Sequence, residues 1–275
     1  MNQRGEKQMK SRIPTVSKLI KRSRKSTDRY EALLQDGESM LSINKVTGVS
    51  LNFPIAETCN PIEVCIKTCY FARGGPSWPA ALSRQYRLFN SVSADPKKAA
   101  VRLKDELIAK NKPPTFVRWN GGGDLFDESV EMLNHFAKIM PEMPIWVVTR
   151  LPKLAAKIKY APNVFIHFSL DAYSKDRRVE FEKINKKSTN YFYSYQCDKD
   201  ENPDAGHLDG ISVVFYDRYR PPAVLPNVDM QVICPLNTHQ DITGICEWCR
   251  RCFNNDAVRH SRLQIVNHLQ GKTKK

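Results

Sequence analysis

The chain has 275 residues, of which 41% are hydrophobic, so it is long enough to bury the core of one large domain. Its 43 lysines and arginines against 29 acids give a net charge of +14. No apolar run reaches the ~18 residues of a membrane-spanning helix, and the N-terminus lacks the apolar segment of a secretory signal. These features predict a cytoplasmic protein without a membrane partner.

The positive charge is concentrated at the two ends of the chain. The first 30 residues hold ten basic residues against two acids, and residues 253–275 hold five against one. The residues between them are nearly balanced. We therefore expect residues 1–38 to form a flexible basic arm, which either binds the phosphates of DNA or RNA or only keeps the protein soluble.

Residues 39–233 alternate between strand-like and helix-like segments and are predicted to form the core. Strands are predicted at 49–53, 115–119, 144–150, 163–172, 190–197, 211–217 and 229–234. Helices are predicted at 79–91, 95–111, 127–140, 151–160 and 175–187, with Asp95 and Asp127 as the N-caps of the second and third. This alternation indicates right-handed βαβ crossovers and a mainly parallel sheet, and hence an α/β fold that is a partial or complete β/α barrel. An open doubly wound sheet is the alternative.

Three cysteines follow the first predicted core strand within eleven residues. Cys59, Cys65 and Cys69 have the spacing C-x5-C-x3-C. In a reducing compartment such clusters favour metal over disulfide bonds. Three thiolates would leave one iron of a [4Fe–4S] cluster open to another ligand.

The second predicted strand of this series runs into a glycine-rich turn, Asn120-Gly121-Gly122-Gly123-Asp124. Glycines allow a tight turn and a close approach of the backbone to a ligand. A plain strand-to-helix turn is the alternative. The turn lacks the residues of a P-loop, so nucleotide phosphates are poor ligands for it.

Four more cysteines lie in a segment, residues 234–275, that is predicted to bind metal and to end in a basic helix at about 255–269. Cys234, Cys246, Cys249 and Cys252 have the spacing C-x11-C-x2-C-x2-C. Four thiolates satisfy either a [4Fe–4S] cluster or a tetrahedral zinc ion, and His239 could replace one of them. One or two clusters are possible, because a cysteine of this group could also complete the first group. Cys197 stands alone and is predicted to be a small buried side chain.

The chain resembles a known family in several of these motifs. TCNPIEVCIKTCYFARG, VRWNGGGDLFD and the distal CRRCF are similar to the phage "gene product 88" family over about residues 45–253. The three-cysteine loop, the Gly-Gly-acid turn and the Ser-x-Asp after the fourth strand also resemble the radical S-adenosylmethionine enzymes. The first resemblance implies a phage or mobile-element protein in the host cytoplasm.

The radical-enzyme resemblance implies a cofactor site in a β/α barrel. Cys59, Cys65 and Cys69 would ligate a [4Fe–4S] cluster whose open iron receives S-adenosylmethionine. Gly122, Gly123 and Asp124 would match the turn that receives the cofactor's amino group, and Ser169 and Asp171 would lie near its ribose. The chain departs from the pattern, because these enzymes usually have C-x3-C-x2-C and a glutamate in place of Asp124.

The expected function is therefore that of an iron–sulfur protein, radical-SAM-like, acting on nucleic acid or on a nucleic-acid-associated substrate. A non-catalytic iron–sulfur or zinc protein that binds nucleic acid, with a structural metal, is the alternative. Asp124, Asp127 and Glu128 offer a further possibility, a carboxylate metal site for phosphodiester hydrolysis. The oligomeric state is left open.

Overall fold

Seven strands form one sheet in the computed structural model, which describes residues 32–45, 47–59, 69–72, 75–185, 190–198, 201–216, 232–235, 244–250 and 252–253. The strands are β1 (Ser42–Asn44), β2 (Gly48–Asn52), β3 (Val117–Gly122), β4 (Ile145–Thr149), β5 (Val164–Leu170), β6 (Tyr191–Cys197) and β7 (Ile211–Tyr216). They lie in sequential order. β1 is antiparallel to β2, and all the other neighbouring pairs are parallel.

The described helices are α1 (Ile55–Thr58), α2 (Pro79–Ala94), α3 (Pro96–Ile108), α4 (Asp127–Ile139), α5 (Pro152–Ala155), α6 (Lys175–Asn185), α7 (Ala205–Leu208) and α8 (Ile245–Cys249). Two 3₁₀ turns, Tyr70–Ala72 and Gly75–Ser77, precede α2. Within the described residues, none of these helices has the length and apolar character that a bilayer crossing requires.

The mixed α/β fold and its mainly parallel sheet are confirmed. Because the strand order never reverses, the doubly wound alternative does not describe this sheet. β1 was not predicted. Of the strand predicted at 229–234, only the end from residue 232 is described, where Ile233 makes a parallel bridge to Val214 of β7. The predicted C-terminal helix lies outside the described residues.

Local capping explains where the helices begin and where one prediction was wrong. Asp95 caps α3, as predicted, by accepting a hydrogen bond from the Lys98 backbone N–H at 2.9 Å. The cap of α4 is Phe126 rather than Asp127, since the Ser129 hydroxyl accepts from the Phe126 N–H at 2.9 Å. Asp127 instead lies in the first turn, where a negative charge is favourable.

The two faces of the sheet have different partners. One face carries Leu51, Trp119, Val147 and Phe168, which are buried in the main core with the helices. Trp119 packs against Phe136 of α4 at a ring distance of 5.8 Å. Right-handed crossovers between strands in sequential order place the helices on one side of a sheet. The other face, here called the inner face, borders a cavity.

The segment before β1 is held against α2 and α3. The Leu34 backbone N–H donates to the Ser91 hydroxyl at 2.8 Å, and the Arg102 guanidinium donates to the Leu34 and Glu38 carbonyls. Residues 32–38 therefore lie on the core, although the predicted arm includes them. Residues 1–31 lie outside the described residues, so the basic arm stays a prediction.

Candidate metal and cofactor site

The inner face borders a cavity of about 900 Å³. Its floor is made by alternate residues of neighbouring strands, and its walls include both groups of cysteines. The floor residues include Ser50, Asn52, Arg118, Asn120, Trp146, Val148, Ser169 and Ser194. The described cysteines along the walls are Cys59, Cys69, Cys234, Cys246, Cys249 and Cys252. The chain thus brings cysteines almost two hundred residues apart to one space.

The first cysteine group lies beside the carboxyl ends of β2 and β3. Cys59 ends α1, where its N–H donates to the Ile55 carbonyl at 3.2 Å, and Cys69 precedes the first 3₁₀ turn. Both thiols are half-buried and pack against a small apolar cluster that includes Ile55 and Phe71. Cys65 lies outside the described residues.

The glycine turn is packed tightly against this loop. A Cβ on Gly122 would lie 2.1 to 2.3 Å from ring atoms of Phe71, and one on Gly121 would lie 2.3 Å from Asn52 Oδ1. Gly123 has φ near +80°, and a Cβ there would meet the Thr58 hydroxyl at 2.6 Å. Contacts within the protein therefore exclude a side chain at each of the three positions, which agrees with the alternative of a plain strand-to-helix turn.

Asp124 fastens the turn to the next strand. Its carboxylate accepts hydrogen bonds from the Thr149 hydroxyl at 2.7 Å, the Arg150 N–H at 3.0 Å and the Leu125 N–H at 2.7 Å. Its own N–H donates to the Thr58 hydroxyl at 3.0 Å. Burial raises the pKa of Asp124, and these hydrogen bonds oppose part of the rise.

A second buried carboxylate continues this network. Asp171, just after β5, pairs with the Arg150 guanidinium and accepts from the Ser174 hydroxyl at 2.8 Å and the Tyr173 N–H at 2.9 Å. Ser169, two residues earlier, lines the cavity, whereas Asp171 does not. The carboxyl ends of β3, β4 and β5 are thus joined by Asp124, Arg150 and Asp171.

The second cysteine group crosses the inner face. Next to β7, the Cys234 N–H donates to the Val214 carbonyl at 2.9 Å, and at the opposite edge the Gly244 N–H donates to the Lys45 carbonyl at 2.8 Å. Over the middle strands of the sheet, Cys246 and Cys252 pack against a cluster of Phe116, Trp146, Phe165 and Phe253. Described residues 232–235, 244–250 and 252–253, here called the cysteine segment, therefore reach from one edge of the sheet to the other.

The thiols of the cysteine segment influence one another. Burial raises the pKa of Cys246 and of Cys252, and the neighbouring thiols of the group raise both further. Arg118 opposes these shifts. A bound metal ion would lower these pKa values instead, because it holds its cysteine ligands as thiolates.

Cys197, by contrast, is fully buried in the main core, as predicted, and burial raises its pKa to about 12.

The cysteines suit a metal ion by the chemistry of their thiols, but they are not arranged around one point in the structure. Among the described side chains, no group of three or more His, Cys, Asp or Glu is placed so that it would hold a metal ion. Thiols are nevertheless the ligands that zinc and iron–sulfur clusters select. The carboxylate alternative is wrong, because Asp124 is buried among its donors while Asp127 is exposed and pairs with Lys157.

The glycine turn, as it is arranged, makes its contacts with the protein, and S-adenosylmethionine stays a prediction. The Phe71 ring lies against Gly122, and the carboxylate of Asp124 already accepts three hydrogen bonds from the protein. These contacts lie where the resemblance put the amino group of the cofactor, although Gly122, Gly123 and Asp124 also line the cavity.

The sequence interpretation missed the side chains beneath the cysteine segment, which are Arg118, Trp146 and His167. His167 is fully buried, and burial lowers its pKa to about 3, partly opposed by the backbone of Cys252. The available signal was a polar residue inside an otherwise apolar strand, as in FVRW and FIHF.

Comparison with known proteins gives one result. A family model described as "Gene product 88" matches residues 17–255, which is most of the chain. No curated protein and no solved structure matches the chain.

Proposed function

We propose that this chain, which belongs to the gene product 88 family, is an iron–sulfur enzyme whose substrate binds in the cavity of the inner face. One observation carries the proposal: two cysteine groups far apart in sequence line the same cavity. Cysteines that only fill space belong in the helix-side core, as Cys197 does.

The arrangement of the sheet supports a partial β/α barrel. Strands in sequential order with helices on one face are the repeating unit of such a barrel, and active groups there gather at the carboxyl ends of the strands. The glycine turn, Asp124, Arg150 and Asp171 lie at those ends. The cysteine segment covers the inner face between β7 and the β1–β2 edge.

Cys59, Cys65 and Cys69 would hold a [4Fe–4S] cluster at this end of the cavity. Such a cluster, when bound and reduced, supplies an electron to a ligand at its open iron. The chain's own contribution is positioning. Asp124 fixes the glycine turn to β4, and the packing of Ile55 and Phe71 against the two described thiols shields part of each thiol from water.

The polar floor of the cavity suits a hydrogen-bonding substrate with negative charge. Arg84, Arg118, Arg150 and Arg250 line the cavity, and Asp124 is the acid that lines it within the described residues. Nucleic acid, or a component bound to it, has this character. The basic ends of the chain favour the same partner, since they carry most of the net charge.

A specific observation favours a second candidate, a non-catalytic nucleic-acid-binding protein with structural iron–sulfur or zinc. The glycine turn is filled by Phe71, so it serves packing in the arrangement observed. In this candidate the metal at Cys234, Cys246, Cys249 and Cys252 only ties the cysteine segment across the sheet.

Metal analysis of paired cysteine variants tests both candidates. Cys59→Ser/Cys69→Ser and Cys246→Ser/Cys249→Ser should each lower the iron or zinc content of anaerobically purified protein. Cys197→Ala is the matched control and should keep it, because Cys197 is buried away from the cavity. Equal metal content in all four proteins would refute the assignment of the ligands.

Calorimetry with S-adenosylmethionine then separates the two candidates. Binding, followed by release of 5′-deoxyadenosine from the reduced protein, would establish the radical enzyme. Metal-loaded protein that neither binds nor cleaves S-adenosylmethionine would eliminate the radical enzyme and leave the structural candidate.

A further inference from the structure

We infer that Arg118, Trp146 and His167 form a floor of N–H donors for the sulfur atoms of a metal centre held by Cys234, Cys246, Cys249 and Cys252. The inference rests on the proposed function in one respect, that these four cysteines bind metal. It assigns a role to three side chains that the proposed function leaves unexplained, and they are here called the donor floor.

The donor floor lies on three neighbouring strands and on one face. Arg118 of β3 and Trp146 of β4 are direct partners in the sheet register, and His167 of β5 pairs with Val148, two residues beyond Trp146. Because side chains alternate along a strand, all three project from the inner face. The rings of Trp146 and His167 lie 6.0 Å apart, and the Arg118 guanidinium lies 4.8 Å from the Trp146 ring.

The cysteine segment lies directly on this floor. Phe253 stacks on Phe116 at 3.9 Å and lies 6.4 Å from Trp146. Cys246 and Cys252 pack against the same aromatic cluster. The backbone of Cys252 is close enough to influence His167. The donor floor therefore faces at least two of the four thiols.

The floor has polar atoms without hydrogen-bond partners. Arg118 Nε and Trp146 Nε1 are buried and complete no hydrogen bond with a described residue. The His167 ring is buried beside them, where it interacts with the backbone of Cys252. Trp146 is 4% exposed and His167 1% exposed. Folded proteins leave few buried polar groups unpaired, so two on adjacent strands point to a missing acceptor.

The chemistry of the unpaired groups identifies that acceptor. Each of the three side chains offers an N–H, and Arg118 also carries a positive charge with no acidic partner among the described residues. Four thiolates outweigh the charge of the zinc ion or cluster that they bind, so the centre is an anion. Hydrogen bonds to the sulfurs of such centres stabilise them and set their reduction potential.

Removal of one N–H from the floor tests the inference. Trp146→Phe keeps an aromatic ring and deletes Nε1–H. Trp119→Phe is the matched control. Trp119 lies next to Arg118 on β3, is fully buried and also has an unpaired Nε1, but its ring faces α4 on the other side of the sheet. Both variants are measured as full-length, metal-loaded protein for loss of metal to a chelator and, with iron, for the reduction potential.

Trp146→Phe should lose metal affinity, and Trp119→Phe should not. Its metal should bind roughly tenfold more weakly, and an iron–sulfur centre should become harder to reduce, because the reduced centre has more negative charge to be stabilised. Trp119→Phe should match the wild type in both measurements. Arg118→Met should act in the same direction as Trp146→Phe.

Two failures can be told apart. If the wild-type protein binds no metal at the four cysteines, the proposed function fails. If it binds metal and Trp146→Phe behaves as Trp119→Phe does, the donor floor is wrong while the metal site stands.

Discussion

Acidification should destabilise the protein through one side chain, His167. Its ring is 1% exposed, stacked on Phe192 at 5.1 Å and beside Trp146. Burial lowers its pKa from 6.5 to about 3. Between these values the unfolded chain binds a proton that the folded chain does not, so stability is present above the unfolded pKa and is lost as the pH falls.

The size of this loss follows from the two pKa values. Lowering the pH from 7 to 5 should remove about 2 kcal/mol of the free energy of unfolding, at 1.36 kcal/mol for each pH unit below the unfolded pKa. His167→Leu has no proton to bind and should not show this part of the loss. Both proteins are measured without metal, so the other acid-sensitive groups remain in both and their difference isolates His167.

Urea unfolding at pH 7, 6 and 5, followed by tryptophan fluorescence, measures the effect. The free energy of unfolding of the wild type should fall relative to that of His167→Leu as the pH falls from 7 to 5. Parallel curves for the two proteins over this range would refute the reasoning, because they would mean that His167 is protonated in the folded state or reaches solvent.

Three further perturbations give distinct outcomes. Gly122→Ala should lower the free energy of unfolding by about 1–3 kcal/mol, since its Cβ meets the Phe71 ring. Adding Phe71→Leu should relieve part of this cost. Strictly additive effects in the double variant would mean that the two side chains do not clash. Cys197→Ala should remove part of the stability that the wild type loses above about pH 9, because the unfolded thiol ionises there and the buried one, with a pKa of about 12, does not. Deletion of residues 1–28 should weaken DNA or RNA binding and reduce its dependence on salt, and unchanged binding in a filter assay would remove the basic arm from the account.

The parallel sheet could be predicted because its strands are short apolar runs separated by amphipathic helices. β1 could not, since its three residues form a strand by pairing with β2, a contact that a short sequence pattern does not reveal. The helix predicted at 151–160 ends at Ala155, because the Asn134 side chain accepts from the Lys159 N–H at 2.8 Å and donates to the Lys157 carbonyl at 3.1 Å. This tertiary contact occupies backbone groups that a longer helix would need.

The sequence identified which residues lie at the site, but it did not reveal what several of them contact. Cysteine spacing indicated metal ligands, and the register of the sheet then explains why both groups meet one cavity. Gly122 and Asp124 were interpreted as cofactor ligands, yet their contacts are with Phe71, Thr149 and Arg150. Such contacts join residues far apart in the chain, and no local pattern reveals them.

Metal and sulfide content of anaerobically purified protein, measured together with its visible spectrum, tests the central claim most directly. The account predicts iron and acid-labile sulfide in equal amounts, about four of each per chain for one cluster or about eight for two, with broad absorbance that bleaches on reduction. Protein that contains zinc alone would contradict the iron–sulfur enzyme and leave the structural candidate. Protein that contains neither metal would contradict both.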